Sequence, residues 1–231
     1  MRITICRITL HESVFYSSRE IGRFYETERY LHNYALTYAL GFASAPYFHA
    51  EQKPAYREEL DPLNARGLYV TPATPRGVGF SLNTFKYGNN NYHADSGKMK
   101  FNTPTFGRLK ELAVGSEFEF AILTSDDALP CLPEWIRLGL WLGKAHVRQI
   151  FSGLAAHASG KMKRSAYPIN PLDLTPAAAH AVSVYDLIVM PPVSLLDRVE
   201  MLCDGWMLIG ERGEVWLPEG MAYRFEKGDQ S

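Results

Sequence analysis

The chain has 231 residues, 46% apolar and 21% charged, with a formal net charge of −1. That length and balance describe a globular chain able to bury a core and exclude intrinsic disorder. No apolar run is long enough to cross a membrane, because Leu187 to Val193 is short and broken by Pro191 and Pro192. The opening MRITICRITL reads as a strand and lacks the pattern of a signal peptide. The three cysteines, Cys6, Cys131 and Cys203, are far apart. Their odd number and spacing argue against a disulfide framework or a zinc site and for three buried thiols in a reducing cytoplasm.

In chain order, residues 2 to 16 read as a strand whose alternation slips near Cys6 and Arg7. The slip signals either a bulge or burial on both faces. Thr27 to Leu40 reads as a helix, with Thr27 as N-cap, Gly41 as stop, Leu31, Tyr34, Ala35 and Tyr38 facing the core, and Arg29 and Asn33 on a polar stripe. Residues 42 to 66 are punctuated by proline and read as loop with a short helix. Val78, Phe80 and Leu82 mark a strand over 77 to 86. A long polar segment, KYGNNNYHADSGKMKF, follows. Phe118, Phe120 and Ile122 mark another strand. Residues 135 to 148 are compatible with helix or strand, and Gly139 and Gly143 favour strand. As one strand, Ile136, Leu138, Leu140 and Leu142 would share a face that Lys144, His146 and Arg148 continue. Ser183 to Met190 is a further strand, and Trp206 to Leu217 a hairpin turning at Glu211, Arg212 and Gly213. These elements predict an α+β fold with a mainly antiparallel sheet.

Enzyme signatures fail one after another. Gly143-Lys144 is followed by Ala145, and Gly97-Lys98 by Met99, so neither is a phosphate-binding loop. Gly77-Val78-Gly79 starts a dinucleotide pattern that Leu82 ends. No histidine pair has zinc spacing, and no Gly-x-Ser-x-Gly elbow occurs. Neither a cofactor nor a metal is expected. One chemistry remains open: metal-independent RNA cleavage, for which His32, His93 or Tyr16 beside a lysine could supply acid and base.

Charge is unevenly spread. Arg137 to Leu172 holds six basic residues (Arg137, Lys144, Arg148, Lys161, Lys163, Arg164) and no acid, and Asn83 to Lys110 holds five basic residues against Asp95. This pattern fits a phosphate-binding face, and it equally fits a chance fluctuation on a solvated surface. Segment 85 to 101 adds rings and amides: Phe85, Tyr87, Asn90, Tyr92, His93 and Phe101 beside Lys86, Lys98 and Lys100. Such a set can stack bases, read base edges and meet phosphates; the competing reading is an ordinary polar loop.

The run LHESVFYSSREIGRFYETERYLHNYALTYALG, with LNARGLYVTPATP, WIRLGLWLGKAHV and LIVMPPVSLLDR, resembles the type I-D CRISPR-associated Csc-one (Cas-five-type) proteins of the RAMP superfamily. The resemblance implies a single domain over residues 1–231, a modified ferredoxin-like (RRM-like) fold with a β-hairpin thumb inserted at 83–105. It implies a non-catalytic subunit of the type I-D Cascade complex. That subunit would hold the five-prime handle of the CRISPR RNA, cap the backbone filament, touch the large subunit and lie near the protospacer-adjacent motif of target double-stranded DNA. Some relatives elsewhere cut precursor RNA, whereas in type I-D a separate Cas-six-type nuclease is expected to do so. Carried onto this chain, Arg19 and Arg23 would meet handle phosphates or else bridge to Glu20 or Glu26, with Asn33 following. Lys86, Tyr87, Asn90, Tyr92, His93, Lys98 and Lys100 would be thumb contacts. Lys144 and Arg148 would reach RNA from the sheet rim, and Lys161, Lys163 and Arg164 would clamp phosphate or target DNA. A protein-only scaffold remains the third possibility.

Overall fold

The computed structural model describes residues 1–45, 54–86, 106–125, 131–210 and 213–225. In chain order the described residues form β1 (Arg2–Leu10), β2 (Arg19–Ile21), β3 (Phe24–Glu26), α1 (Asn33–Ala39), α2 (Tyr56–Ala65), β4 (Leu68–Val70), β5 (Thr74–Gly77), β6 (Phe80–Lys86), β7 (Phe106–Leu112), β8 (Glu117–Thr124), β9 (Trp135–Leu138), β10 (Gly143–Leu154), β11 (Ala156–Ala158), β12 (Lys163–Arg164), α3 (Pro176–His180), β13 (Val182–Ile188), β14 (Leu195–Met201), β15 (Gly205–Gly210) and β16 (Gly213–Pro218). The architecture is mostly antiparallel sheet with few, short helices, in line with the expected α+β class.

The central sheet runs β4-β8-β1-β10-β9, with β5 also on β8, and every pairing in it is antiparallel. Thr4, Cys6, Ile8 and Leu10 alternate along β1 and are fully buried on one face, and Ile3 is buried on the other. Both expectations for the phase slip hold together. The register against β10 jumps from Ile5↔Phe151 to Cys6↔Gln149, so Ile150 is the extra residue of a bulge in the partner strand. A second sheet runs β2-β3-β7-β6. Two three-stranded sheets follow, β12-β14-β13 and β11-β15-β16. The expected C-terminal hairpin is β15 with β16, paired from Gly205↔Pro218 to Gly210↔Gly213.

Two expectations need correction. The helix expected over 27–40 covers only Asn33 to Ala39, and its N-cap is His32, whose Nδ1 accepts the Tyr34 N–H at 3.2 Å. The backbone before it is committed to strand-like bonds: Thr27 N–H donates to the Lys110 carbonyl, and Ala73 N–H to that of Leu31. A helical turn would forfeit these partners. Gly41 is the expected stop: at φ +74° it closes a two-bond cap in which Gly41 N–H reaches Tyr38 and Phe42 N–H reaches Thr37. Residues 135–148 are not one strand. The chain reverses between β9 and β10, where Gly139 has φ +75° and a Cβ there would lie 2.5 Å from the Phe15 carbonyl oxygen. The reversal leaves Leu140, Trp141 and Leu142 exposed instead of lining a sheet face.

A buried polar cluster ties the C-terminal segment to α1 and β4. Asp173 Oδ2 accepts from Asn33 Nδ2 and from Tyr69 OH, each at 2.8 Å, while Thr37 and Tyr223 share a hydroxyl bond of 2.6 Å and Val70 N–H donates to Tyr223 OH. Cys6 is buried, with its thiol pushed up to about 12 by desolvation, but Cys131 is exposed and Cys203 half-buried, so three buried thiols is an overstatement. No helix among the described residues is long and apolar enough to cross a membrane.

His32 and Asp173 titrate in opposite senses. Burial lowers His32 from 6.5 to about 4. The unfolded chain therefore takes up a proton that the folded chain refuses, and stability falls as pH drops from 6.5 to about 4. Burial raises Asp173 from 3.8 to about 7, so stability falls as pH rises across that window. The two slopes oppose each other in the wild type. His32→Asn keeps a capping oxygen and removes one of them. The variant should lose on the order of 3 kcal/mol between pH 4 and pH 7, measured by urea unfolding, and a flat profile would refute this assignment.

Candidate nucleic-acid interface

Strand pairing builds one open face on the second sheet. β6 and β7 pair antiparallel from Phe80↔Leu112 to Lys86↔Phe106, and β3 lies parallel to β7 with Phe24↔Arg108 and Glu26↔Lys110. β2 adds Arg19↔Glu26 and Ile21↔Phe24. Side chains alternate along each strand. One face therefore gathers Arg19 and Ile21, Phe24 and Glu26, Phe106, Arg108 and Lys110, and Phe80, Leu82, Thr84 and Lys86. The opposite face carries Tyr25, Leu109, Glu111, Asn83 and Phe85. It carries the half-buried Tyr25–Phe85 ring pair at 5.8 Å, and Glu111 is buried there and accepts from Asn83 Nδ2 at 2.6 Å.

The open face is cationic and ring-bearing. Arg19, Lys86, Arg108 and Lys110 stand against two carboxylates, Glu26 and Glu28. Phe80, Leu82, Phe106 and Ile21 are exposed, with Leu82 at 70%. Lys110 Nζ sits 4.1 Å from the Phe80 ring centroid and bonds Glu26 Oε1 at 2.7 Å. That bond from Lys110 holds the Glu26 carboxyl below its ordinary range. Arg19 reaches Glu26 and Glu28 only at 3.9 and 3.7 Å, so the Glu26 bridge is present but loose. Arg23 and Arg108 are exposed, and neither forms an ion pair among the described residues.

The expected site residues thus separate. Arg19, Arg23 and Lys86 meet on or beside this sheet. Tyr87, Asn90, Tyr92, His93, Lys98 and Lys100 lie outside the described residues, as does the insert from residue 87 to 105. Asn33 is a correction: it is fully buried, and its amide serves Asp173, so it cannot face a ligand. Lys144 and Arg148 share a face of β10 in the central sheet, whereas Lys86 belongs to the second sheet. Lys144 Nζ lies 4.1 Å from the Trp135 ring centroid, and Arg148 is exposed. Three of the six cations of the acid-free run pair with carboxylates on folding. Arg137 pairs with Glu12 at 3.0 Å, Arg164 with Glu200 at 2.7 Å and Lys163 with Glu214 at 3.9 Å. Lys161 is exposed and forms no ion pair among the described residues.

Sequence reasoning missed Phe80, Phe106, Arg108 and Lys110 as site residues. The signal was present in FGRLKEL, where Phe106, Arg108 and Lys110 alternate with buried Gly107, Leu109 and Glu111. His157, Asp204 and Glu219 also gather within 4.8 Å of one another, exposed, with His157 bonded to Glu219 at 3.1 Å.

The sequence matches the family model of the type I-D CRISPR-associated protein Cas5/Csc1 over residues 1–226. No curated protein matches it. Among solved structures, a chain of the cryo-EM structure of the Type III-B Cmr-beta bound to cognate target RNA and AMPPnP is similar with a TM-score of 0.45 and 10% identity, covering 94% of this chain and 86% of that one. A chain from the Cmr-beta structure bound to cognate target RNA gives 0.34 and 16%, covering 55% and 48%, so the match spans about half of that chain.

Core and surface roles separate in a stability test. Lys86→Ala and Arg108→Ala should each shift unfolding by less than about 0.5 kcal/mol, whereas Asn33→Ala, which strips a partner from a buried carboxyl, should cost about 1–3 kcal/mol. Equal costs in chemical denaturation would overturn the division.

Proposed function

Because the chain belongs to the type I-D CRISPR-associated protein Cas5/Csc1 family, we propose that it is a non-catalytic subunit of a type I-D Cascade complex and grips the five-prime handle of the CRISPR RNA. The observation that carries this reading is the open face of the second sheet, where four cations and exposed rings share one surface. Single-stranded RNA presents phosphates to the cations and unstacked bases to the rings. The stem β6–β7 supports a thumb: its seven residue pairs, at about 3.3 Å per residue, run roughly 20 Å from Phe80 to Lys86. The order β4-β8-β1-β10 supports a ferredoxin-like core, with α1 and α2 on the crossover between β1 and β4.

The rest of the proposal follows the family. The subunit caps the backbone filament, contacts the large subunit and approaches the protospacer-adjacent motif of target double-stranded DNA. Exposed Leu140, Trp141 and Leu142 suit protein contacts, and Lys161 suits a phosphate.

Two groups open to nuclease chemistry are withdrawn from it. His32 is 4% exposed, its ring nitrogens engage Tyr34 N–H and the Val193 carbonyl, and burial lowers it to about 4. Tyr16 donates to the Glu28 and Tyr30 carbonyls, and burial pushes its hydroxyl up. Neither can exchange a proton with a surface-bound 2′-hydroxyl. His93 lies outside the described residues.

Labelled repeat RNA tests the proposal. The purified chain should bind the handle and leave the RNA intact in the absence of metal. Lys86→Ala with Arg108→Ala should weaken binding several-fold and reduce the salt slope by about 1.4, at about 0.7 per lost phosphate contact. Lys98→Ala with Lys100→Ala should act in the same direction without unfolding the chain. Affinity that ignores salt and both double substitutions would reject the interface. Cutting abolished by His93→Ala would establish the nuclease instead.

A further inference from the structure

A cleft of 490 Å³ opens between the central sheet and the β15–β16 hairpin. Its size is that of a small-molecule site. Ile5, Arg7, Glu119, Ile150 and Phe151 line it from the central sheet, and Arg76 and Tyr167 from its flanks. Ile150 and Phe151 are consecutive and would point to opposite faces of a regular strand. Both reach the cleft because Ile150 is the extra residue of the bulge in β10.

The polar groups in this cleft are unequally satisfied. Glu119 is buried, and its Oε1 accepts both Arg76 Nη2 at 2.6 Å and Tyr167 OH at 3.1 Å. Its Oε2 receives only Arg7 Nη2, at 3.5 Å, and Arg7 Nη1 reaches Glu117 no closer than 3.6 Å. Both distances exceed an ordinary N–H···O bond. Arg7 Nε is buried with no hydrogen-bond partner. A donor-rich guanidinium and an acceptor oxygen therefore stand side by side, each with capacity left over. The charged lining balances, Arg7 and Arg76 against Glu119 and Glu214, and Glu214 also meets Lys163 at 3.9 Å. A bare phosphate gains little there. A neutral, planar group with acceptors and donors on one edge gains both bonds, and the half-buried Phe151 ring offers it aromatic surface.

We infer that this cleft holds one unstacked nucleobase, with its hydrogen-bonding edge read by Arg7 and Glu119. Guanine fits best: O6 accepts from the guanidinium, and N1–H and N2–H donate to the carboxylate. Cytosine offers the carboxylate a single N4–H face, and uracil offers only its N3–H. The inference draws on the RNA-binding proposal for the origin of the base, but the cleft and its chemistry stand apart from the second sheet.

The four nucleoside 5′-monophosphates separate the outcomes, since all carry the same phosphate. Saturation-transfer NMR on the full chain should show GMP binding about tenfold tighter than the other three. Phe151→Ala should weaken GMP at least several-fold. Glu119→Gln, which keeps an acceptor for Arg76 and Tyr167, should abolish the preference for GMP, and circular dichroism would establish that both variants fold. Equal signals from all four nucleotides, or GMP binding untouched by Phe151→Ala, would overturn the inference. The result is distinguishable from failure of the RNA interface. A chain that binds repeat RNA through Lys86 and Arg108 but ignores GMP sinks the cleft alone, and a chain that takes GMP selectively but ignores repeat RNA sinks the interface alone.

Discussion

Every functional surface of this chain hangs from β1. Its backbone is hydrogen-bonded on both sides, to β8 and to β10, so it cannot shift register without breaking two ladders. Its C-terminal end leads directly to Val14, which bridges Leu112 and anchors the base of the β6–β7 stem. Its outward residues Ile5 and Arg7 form the floor of the cleft. The strand therefore sets the position of the stem and the cleft at once.

The placement of charge follows from tertiary pairing. Arg137, Lys163 and Arg164 belong to an acid-free stretch of sequence, yet each meets a carboxylate from a distant element. Exposed pairs of this kind contribute little to stability. Their effect is to remove cations from the pool available to a polyanion. Among the described residues, Arg108 and Lys86 on the second sheet have no such partner and Lys110 is shared between Glu26 and the Phe80 ring, while Lys144, Arg148 and Lys161 form no ion pair elsewhere. A near-zero net charge thus coexists with a local excess of cations on one face.

Burial separates structural polar groups from functional ones. Asn33, Asp173, Tyr69, Thr37 and Tyr223 satisfy one another inside the protein and hold the C-terminal segment against α1 and β4. Glu119 is buried and Arg7 half-buried, and the pair is incompletely bonded. An unfinished polar pair beside a cavity costs stability, which is tolerable where a ligand completes it.

The sequence alone determined the local elements whose signal is periodic: β1 (although the strand expected over 2–16 ends at Leu10), β6, β8, the β15–β16 hairpin and the stop at Gly41. Alternation and turn chemistry are carried by near neighbours, so they can be read in a line. It also carried the family resemblance that the match over residues 1–226 bears out. Tertiary structure decided the rest. Thr27 to Leu31 failed to become helix because Lys110 and Ala73, far along the chain, claimed its backbone. The 135–148 segment folded back because Phe15 packs against Gly139. Asn33 left the surface because Asp173, 140 residues later, needed a donor. Which cations stay free, which face of β7 opens outward, and that Arg7 and Glu119 share a cleft all depend on pairings between strands remote in sequence, and no window along the chain contains both partners.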